Sequence, residues 1–418
     1  MGKHILILEP ISSGEGLPKA AKELGCYVTA IALNSGFVKL NEECLKNIDN
    51  LIEMNVSMED LVEKKVHELN SIRPIDAIIS GFEFFVPLAN KLASKLGLAC
   101  NDINWVDATR YKHLMAKNFT EYNIPAPKTF IAKSVDEAKL AVEQLGFPCI
   151  VKPSDSLGSC DVYKVQNLEE LEQKFKIIAN RPDEEDWKFP MISLVLIQEF
   201  VDGEEVSVET LVSEGEVKFL NITDKLVTNG PCFVELGHLI PSRKDSKVIE
   251  KIKETALSVH KSLGIKYGIT HVEMRLNNGS PIVIEIAARL PGDRIPYVIK
   301  YGVGVDLWKY TIQSYLRQPF KIEQKHKKGA CIRFLTTNLK GKFKISGSSN
   351  LEGKPEIMEY KINTDLINSS GEIQNFLDRY GHVITVGETA DSALKNAEEY
   401  LKMLSWISLK DIDESEVS

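Results

Sequence analysis

The segment from Ile269 to Asp293, ITHVEMRLNNGSPIVIEIAARLPGD, alternates apolar and polar residues on both sides of a short Asn-Gly-Ser stretch, and that pattern commits it to an antiparallel hairpin. In the first run Val272, Met274 and Leu276 share one face, with His271, Glu273 and Arg275 on the other. In the second, Ile282, Ile284 and Ile286 alternate against Val283, Glu285 and Ala287. A three-residue loop, Asn278-Gly279-Ser280, then pairs Met274 with Ile284 and Glu273 with Glu285, and a one-residue slip would mix the faces. Two carboxylates so opposed have Cβ atoms roughly 5 Å apart, which costs energy unless a cation lies between them. Oxygen donors of this kind suit magnesium carried by a nucleotide phosphate. The bland alternative is a solvated pair on an exposed face.

Arg289 follows Glu285 by four residues, where a fixed cation can reach a phosphate or a developing oxyanion. Two strand carboxylates with an arginine four beyond the second resemble the metal-binding core of the ATP-grasp ligases. In that family the pattern reads Glu, then Glu-x-Asn-x-Arg; here it is Glu273, then Glu285-Ile286-Ala287-Ala288-Arg289. Alanine stands where many members place a third ligand, so coordination from Ala287 is excluded. The resemblance spans roughly Lys3 to Leu401. Within it, Ser80-Gly81-Phe82-Glu83-Phe84, Phe233 to His238 and Ala288 to Asp293 are similar to the L-amino-acid ligases, which join two free amino acids.

A chain of 418 residues exceeds one core, and two to three packed units are expected. Lys plus Arg is 51 and Asp plus Glu 59, a net charge of −8 that argues against a nucleic-acid footprint and for small-molecule substrates. No run approaches the uncharged apolar length of a membrane span, and MGKHILILEP reads as a buried strand, which suggests a cytoplasmic address. The seven cysteines form no CxxC pair and read as small core residues.

The first hundred residues alternate strand and helix: His4 to Leu8 before Gly16 to Leu24, Tyr27 to Ala32, then Ala77 to Ile79 before Pro87 to Leu96. The loop after the first strand, Pro10 to Gly16, is not GxGxxG, so a dinucleotide site is weakly supported. Ser134 to Leu145 reads as a helix with Ser134 as N-cap and Gly146 as C-cap. Strands follow at Cys149–Lys152, Asp161–Val165, Ser193–Phe200, Glu205–Val212 and Glu216–Asn221; Gly302 to Tyr315 reads as one helix, and Gly381 to Leu401 as a strand plus a helix. Asp411 to Ser418 reads as a frayed acidic tail. The expected class is multidomain α/β and α+β: a Rossmann-like parallel α/β domain over 1–110, a linker and flap subdomain over 111–205, a catalytic subdomain over 206–325 and a small C-terminal α+β unit over 326–418.

Upstream of the hairpin, Lys152 ends a strand and is followed by Ser154-Asp155-Ser156-Leu157-Gly158-Ser159, a donor-rich turn that can close over phosphates but is not a Walker loop. By the resemblance, Lys112 and Lys152 bind ATP phosphates with Ser154, Ser156, Gly158 and Ser159, while Gln198 and the backbone of Glu199 and Val201 meet adenine and Glu205 accepts from the ribose. Glu273 and Glu285 hold magnesium, two ions or manganese instead. Arg289 stabilises the transferred phosphoryl group, Glu235 binds the ammonium of the activated amino acid, and His238 lies near the reacting carbonyl or amine, the one histidine expected to be functional. Glu83 is the candidate second ammonium contact. Gly292 and Asp293 border the first side chain, where an ionised aspartate would favour arginine or lysine. The expected activity is dipeptide synthesis through an acyl phosphate, with ATP and free amino acids as partners and a homodimer allowed. Another acceptor, a carrier-protein thiol or bicarbonate, and a non-catalytic ATP sensor are the alternatives.

Overall fold

The computed structural model describes residues 2–181, 191–192, 194–228 and 232–408. The uninterrupted apolar run of β1 (His4–Leu8) is buried at every residue, as a strand covered on both faces requires. With α1 (Gly16–Glu23), β2 (Tyr27–Ala32), α2 (Glu42–Lys46), β3 (Asn50–Glu53), α3 (Glu59–Ile72), β4 (Ala77–Ser80) and α4 (Val86–Lys95) it forms a parallel sheet in the order β3-β2-β1-β4. The carboxyl ends of β1 and β4 are adjacent, so the loops after them share one edge.

Helix α5 (Lys112–Glu121) leads to β5 (Thr129–Ala132), α6 (Val135–Leu145), β6 (Cys149–Pro153), β7 (Tyr163–Val165), α7 (Leu168–Ala179) and β8 (Val195–Glu199). Ser134 caps α6 by accepting from the Glu137 amide, and Gly146 closes it at φ 77°. These strands make an antiparallel sheet, β5-β8-β6-β7, in which β6 and β7 are the expected flap hairpin. The second flap strand begins at Tyr163 rather than Asp161, which lies at φ 57° in the turn.

The central sheet holds eight strands. Along the chain come β9 (Glu204–Ser213), β10 (Glu216–Val227), β11 (Glu235–Ile240), α8 (Ser246–Ser262), β12 (Gly268–Asn277), β13 (Ser280–Ala287), α9 (Ile295–Val303), α10 (Leu307–Tyr315) and β14 (Gly329–Phe334). After them come β15 (Lys340–Ser346), β16 (Ile357–Ile362), β17 (Ile367–Ser370), β18 (Gly381–Gly387), α11 (Ala390–Leu401) and β19 (Ser405–Ser408). The order β13-β12-β9-β10-β11-β14-β18-β16 carries the sheet straight across position 326, so the expected C-terminal unit is an extension of the catalytic sheet. Its own small sheet is β17-β15-β19.

Three expectations change in detail. The hairpin turn has two residues, Asn278 at φ 49° and Gly279 at φ 75°, the two positive values of a type I′ turn, so Asn277 pairs with Ser280 and Met274 with Val283. A bulge then absorbs Ile284 and restores Glu273 opposite Glu285. With it Pro281, Val283, Ile286 and Ala287 are the buried residues of β13, and Ile284 lines the cavity described below. The expected helix over 302–315 is two, broken at Gly304, which takes φ 74°. Cys26, Cys44, Cys149 and Cys331 are core residues, whereas Cys100, Cys160 and Cys232 are half-buried. Ser193 and the expected acidic tail from Asp411 lie outside the described residues. Among the described residues no helix is long and apolar enough to cross a membrane.

Candidate active site

Between the flap sheet and the central sheet lies a cavity of about 480 Å³. Of the residues singled out from sequence, Glu83, Lys112, Lys152, Ser156, Gly158, Ser159, Gln198, Glu199, Val201, Glu205, Glu235, His238, Glu273, Glu285, Arg289, Gly292 and Asp293 all line it. Ser154 does not. Its hydroxyl meets His113 Nδ1 at 2.6 Å and its carbonyl accepts from the Lys112 amide, so it ties β6 to α5 instead of facing phosphate.

The sheet wall is an ionic lattice. Lys225 of β10, almost fully buried, reaches Glu205 at 2.7 Å, Glu273 at 2.9 Å and Glu235 at 3.3 Å. Burial alone would lower its pKa, but the three carboxylates outweigh it and raise the ammonium well above its ordinary value. His271 bridges Glu209 and Glu273, 3.0 Å from each; burial opposes its charge, yet the two partners push it up to about 9. Burial likewise opposes the charge on Glu273, and Lys225 and His271 outweigh it, holding that carboxyl well below the usual range. In Glu235 burial prevails over Lys225, and Asp293, Glu273 and Glu205 raise it further. Arg275 donates to the Val201 carbonyl at 3.0 Å and to Glu205 at 3.4 Å, and its guanidinium lies 4.6 Å from the Phe233 ring.

Across the cavity Lys152 stands apart. It is buried, and no hydrogen bond or ion pair of its ammonium occurs among the described residues. Burial and then the neighbouring Lys112 push it down to about 8, with Glu285 and Glu273 offsetting only part. Lys112 itself donates to the Ser156 carbonyl at 2.6 Å and pairs with Glu285 at 2.9 Å. At the expected adenine edge the Glu199 backbone N–H donates to the Lys128 carbonyl and the Gln198 side-chain N–H to Thr129, so these two donors are engaged within the protein.

Arg289 donates through Nε to Glu83 at 3.1 Å, and its Nη2 makes a shorter bond to the same oxygen. Burial opposes the charge on Glu83, and Arg289 lowers its pKa. The expected ammonium contact is thus the group that orients Arg289. Asp293, at φ 53°, is gripped by Arg379 through two bonds of 2.7 Å and by His238 at 3.0 Å. Burial opposes its ionisation, but Arg379 and His238 hold its carboxyl far below the ordinary range. Its charge is already matched, which removes the argument that it selects a basic side chain.

Glu273 and Glu285 meet across β12 and β13, as the alternation requires, with the cations beside them supplied by Lys225 and Lys112. Each carboxylate engages only Oε1, leaving Oε2 without a hydrogen-bond partner among the described residues. Two hard oxygens facing a nucleotide-sized cavity fit magnesium that brings phosphate oxygens and water as its other ligands. Among the described residues no group of three His, Cys, Asp or Glu could hold a metal alone.

Sequence reasoning missed Lys225, Arg379 and the part of His271. His271 and Arg275 share the polar face with Glu273, so the alternation already carried their signal, and His271 lines the cavity as His238 does. Arg379 lies between a short 3₁₀ turn and β18, where no periodicity marks it.

Comparison with known proteins follows this geometry. Residues 145–296 match an ATP-grasp domain model, 18–99 an ATP-grasp N-terminal domain and 333–407 an L-amino acid ligase C-terminal domain 2. The alanine–anticapsin ligase of Bacillus subtilis (strain 168) is 28% identical over 272 residues, 60% of this chain and 56% of that protein. Dapdiamide A synthase of Enterobacter agglomerans is 28% identical over 309 residues, 72% of this chain and 70% of that one. The solved L-amino acid ligase of Bacillus licheniformis superposes with a TM-score of 0.78 at 22% identity, covering 97% of this chain and 99% of its own.

Proposed function

This chain is an ATP-grasp protein, and from that premise we propose that it is a carboxylate-amine ligase that joins two amino acids at the expense of ATP. The observation that carries the reading is the convergence of the Glu273–Glu285 pair, the unpartnered Lys152 and the Glu83-held Arg289 on one cavity. Lys112 and Lys152 neutralise the nucleotide phosphates, and Arg275 fixes the carbonyl of Val201 and the carboxylate of Glu205 beside the base and ribose. Glu273 and Glu285 would hold magnesium through their free oxygens, and the ion, when bound, supplies charge neutralisation at the terminal phosphates.

One carboxylate oxygen of the first amino acid attacks the γ-phosphorus; the bond to the β-bridging oxygen breaks, and ADP leaves with its electron pair. Arg289 lies where charge gathers on the transferred group, held by Glu83 so that little reorganisation is needed. The amine of the second amino acid then attacks the acyl carbon. The carbon–nitrogen bond forms, the carbon–oxygen bond to phosphate breaks, phosphate departs and the amine proton is released. His238 and Glu235 line the cavity; in this reading Glu235 receives the first ammonium and His238 takes up the released proton.

The test is product analysis with ATP, magnesium and amino acids supplied singly and in pairs. ADP and phosphate are expected, with hydroxylamine trapping the acyl phosphate as a hydroxamate. AMP and pyrophosphate as the stoichiometric products sink the reading.

A further inference from the structure

The second amino acid brings a free carboxylate into a cavity whose cationic side chains are each held by a carboxylate or, for Lys152, face the nucleotide phosphates. An anion entering there needs donors that are not already committed. The loop after β1 offers them. Ser12, at φ 52°, opens the 3₁₀ turn Ser12–Glu15 that runs into α1, so a left-handed residue precedes right-handed ones, the backbone pattern that turns successive N–H groups toward one concavity. Among the described residues the amides of Ser12 and Ser13 have no backbone partner. Independently, Ser13 is 7% exposed, its hydroxyl has no hydrogen bond among the described residues, and it lines the cavity.

The loop is rigid and correctly placed. The Trp308 indole N–H donates to the Ser13 carbonyl from the far side, and a Cβ at Gly14 would lie 2.1 Å from the Gly81 carbonyl oxygen, so the loops after β1 and β4 are in direct contact. Two residues beyond Gly81 is Glu83, which grips Arg289. The donors therefore sit on the same wall as the group beside the reacting carboxylate.

We propose that the nest of Ser12 and Ser13, at the start of the 3₁₀ turn that leads into α1, binds the α-carboxylate of the second, amine-donating amino acid. The assignment rests on the amino-acid ligase reading above, and it adds that the acceptor must be an α-amino acid and not a bare amine. The carboxylate lies on the amide N–H groups and the Ser13 hydroxyl, with the positive end of the helix behind them.

The experiment uses the full chain with ATP, magnesium and the pair of amino acids that releases most phosphate, comparing the parent, Ser13→Ala and Ser13→Asp. Ser13→Asp sets its carboxylate beside amides that have no backbone partner, so it should fold, and its melting curve checks this. Its carboxylate fills the nest and repels the substrate's. The KM of the acceptor should rise about threefold or more in Ser13→Ala and about thirtyfold or more in Ser13→Asp, as donors to a charged group are lost or replaced by a like charge. Hydroxamate formation, which needs no acceptor, should keep the parent KM for ATP and for the first amino acid in both. The parent should favour the acceptor acid over its amide, and Ser13→Asp should lose that preference. An unmoved acceptor KM in Ser13→Asp, equal use of acid and amide by the parent, or an ATP KM that rises in the hydroxamate assay overturns the inference and leaves the ligase reading standing. If no amino acid gives hydroxamate in the parent, the ligase reading itself falls, and this inference with it.

Discussion

The two walls of the cavity hold their charge in opposite ways. On the sheet wall Lys225 answers three carboxylates and His271 two, so nearly every buried charge has its counterpart before any ligand arrives. On the flap wall Lys152 is buried with no partner among the described residues, and the neighbouring Lys112 repels it more than Glu285 or Glu273 attracts it. A lattice of matched charges is a preorganised surface: it costs the fold desolvation once and then does not move. An unmatched buried ammonium is a standing cost that only an incoming anion relieves. The sheet wall is thus built to be stable, and the flap wall to bind.

The strongest way to break this comparison is to remove the hub of the lattice. Lys225→Met leaves Glu205, Glu235 and Glu273 buried together without their shared cation, and losing one partner of a buried pair costs about 3–5 kcal/mol. A fall of that size is expected in the unfolding free energy, read as a lower denaturant midpoint. Lys152→Met, of similar shape and equal burial, should leave apo stability unchanged or higher, because it removes an uncompensated charge. If the two substitutions destabilise alike, the walls do not differ as described.

Next in size are changes that touch the chemistry while sparing the lattice. Arg289→Ala or Glu285→Ala should lower phosphate release by about a hundredfold or more, since each removes charge stabilisation at the transferring group. Glu83→Gln should reproduce part of the Arg289 loss, because it frees the guanidinium that Glu83 orients. Melting curves near the parent's are expected for Glu285→Ala, whose carboxylate is partly exposed and, among the described residues, pairs with Lys112 alone. Near-normal turnover in that variant would put the reaction elsewhere.

How much of this was legible in sequence follows from how far each contact reaches along the chain. The Glu273–Glu285 pair was readable because alternation within one hairpin is local, and Asn278-Gly279 marked the turn. The bulge at Ile284 was not, since the apolar pattern of β13 tolerates either register and only the packing of Val283 and Ile286 in the core decides it. Even so the expected carboxylate pairing survived: the longer loop assumed at the turn compensated for the missing bulge. The parallel N-terminal sheet was readable from its buried apolar runs. The C-terminal region reads from sequence as a separate unit over 326–418, whereas β14 pairs with β11 and continues the sheet. Arg379 reaches Asp293 across 86 positions, and Glu83 reaches Arg289 across 206; no local period encodes such pairs. Asp293 and Glu83 both line the cavity, while their partners came only from the fold.

The smallest effect sharpens the comparison most, because the two walls should respond to pH with opposite sign. His271 has its pKa raised to about 9 from an ordinary 6.5; burial works against it, and Glu209 and Glu273 outweigh that. Its contribution to stability is fully present below pH 6.5, where both folded and unfolded chains hold the proton, and is lost as pH rises through about 9. Lys152 is lowered to about 8 from 10.5, so between those values the unfolded chain binds more protons than the folded one, and stability rises with pH across that window. Denaturant midpoints measured from pH 6 to 10.5 on the parent, His271→Asn and Lys152→Met isolate the two. The parent minus His271→Asn should decline from about pH 6.5 to 9, and the parent minus Lys152→Met should climb from about pH 8 to 10.5. ATP without magnesium supplies the final check, since phosphate beside Lys152 favours its charged form and should flatten the climb without touching the decline. Differences of the same sign, or a climb that ATP leaves intact, would mean that Lys152 is balanced within the protein and that the flap wall is as closed as the sheet.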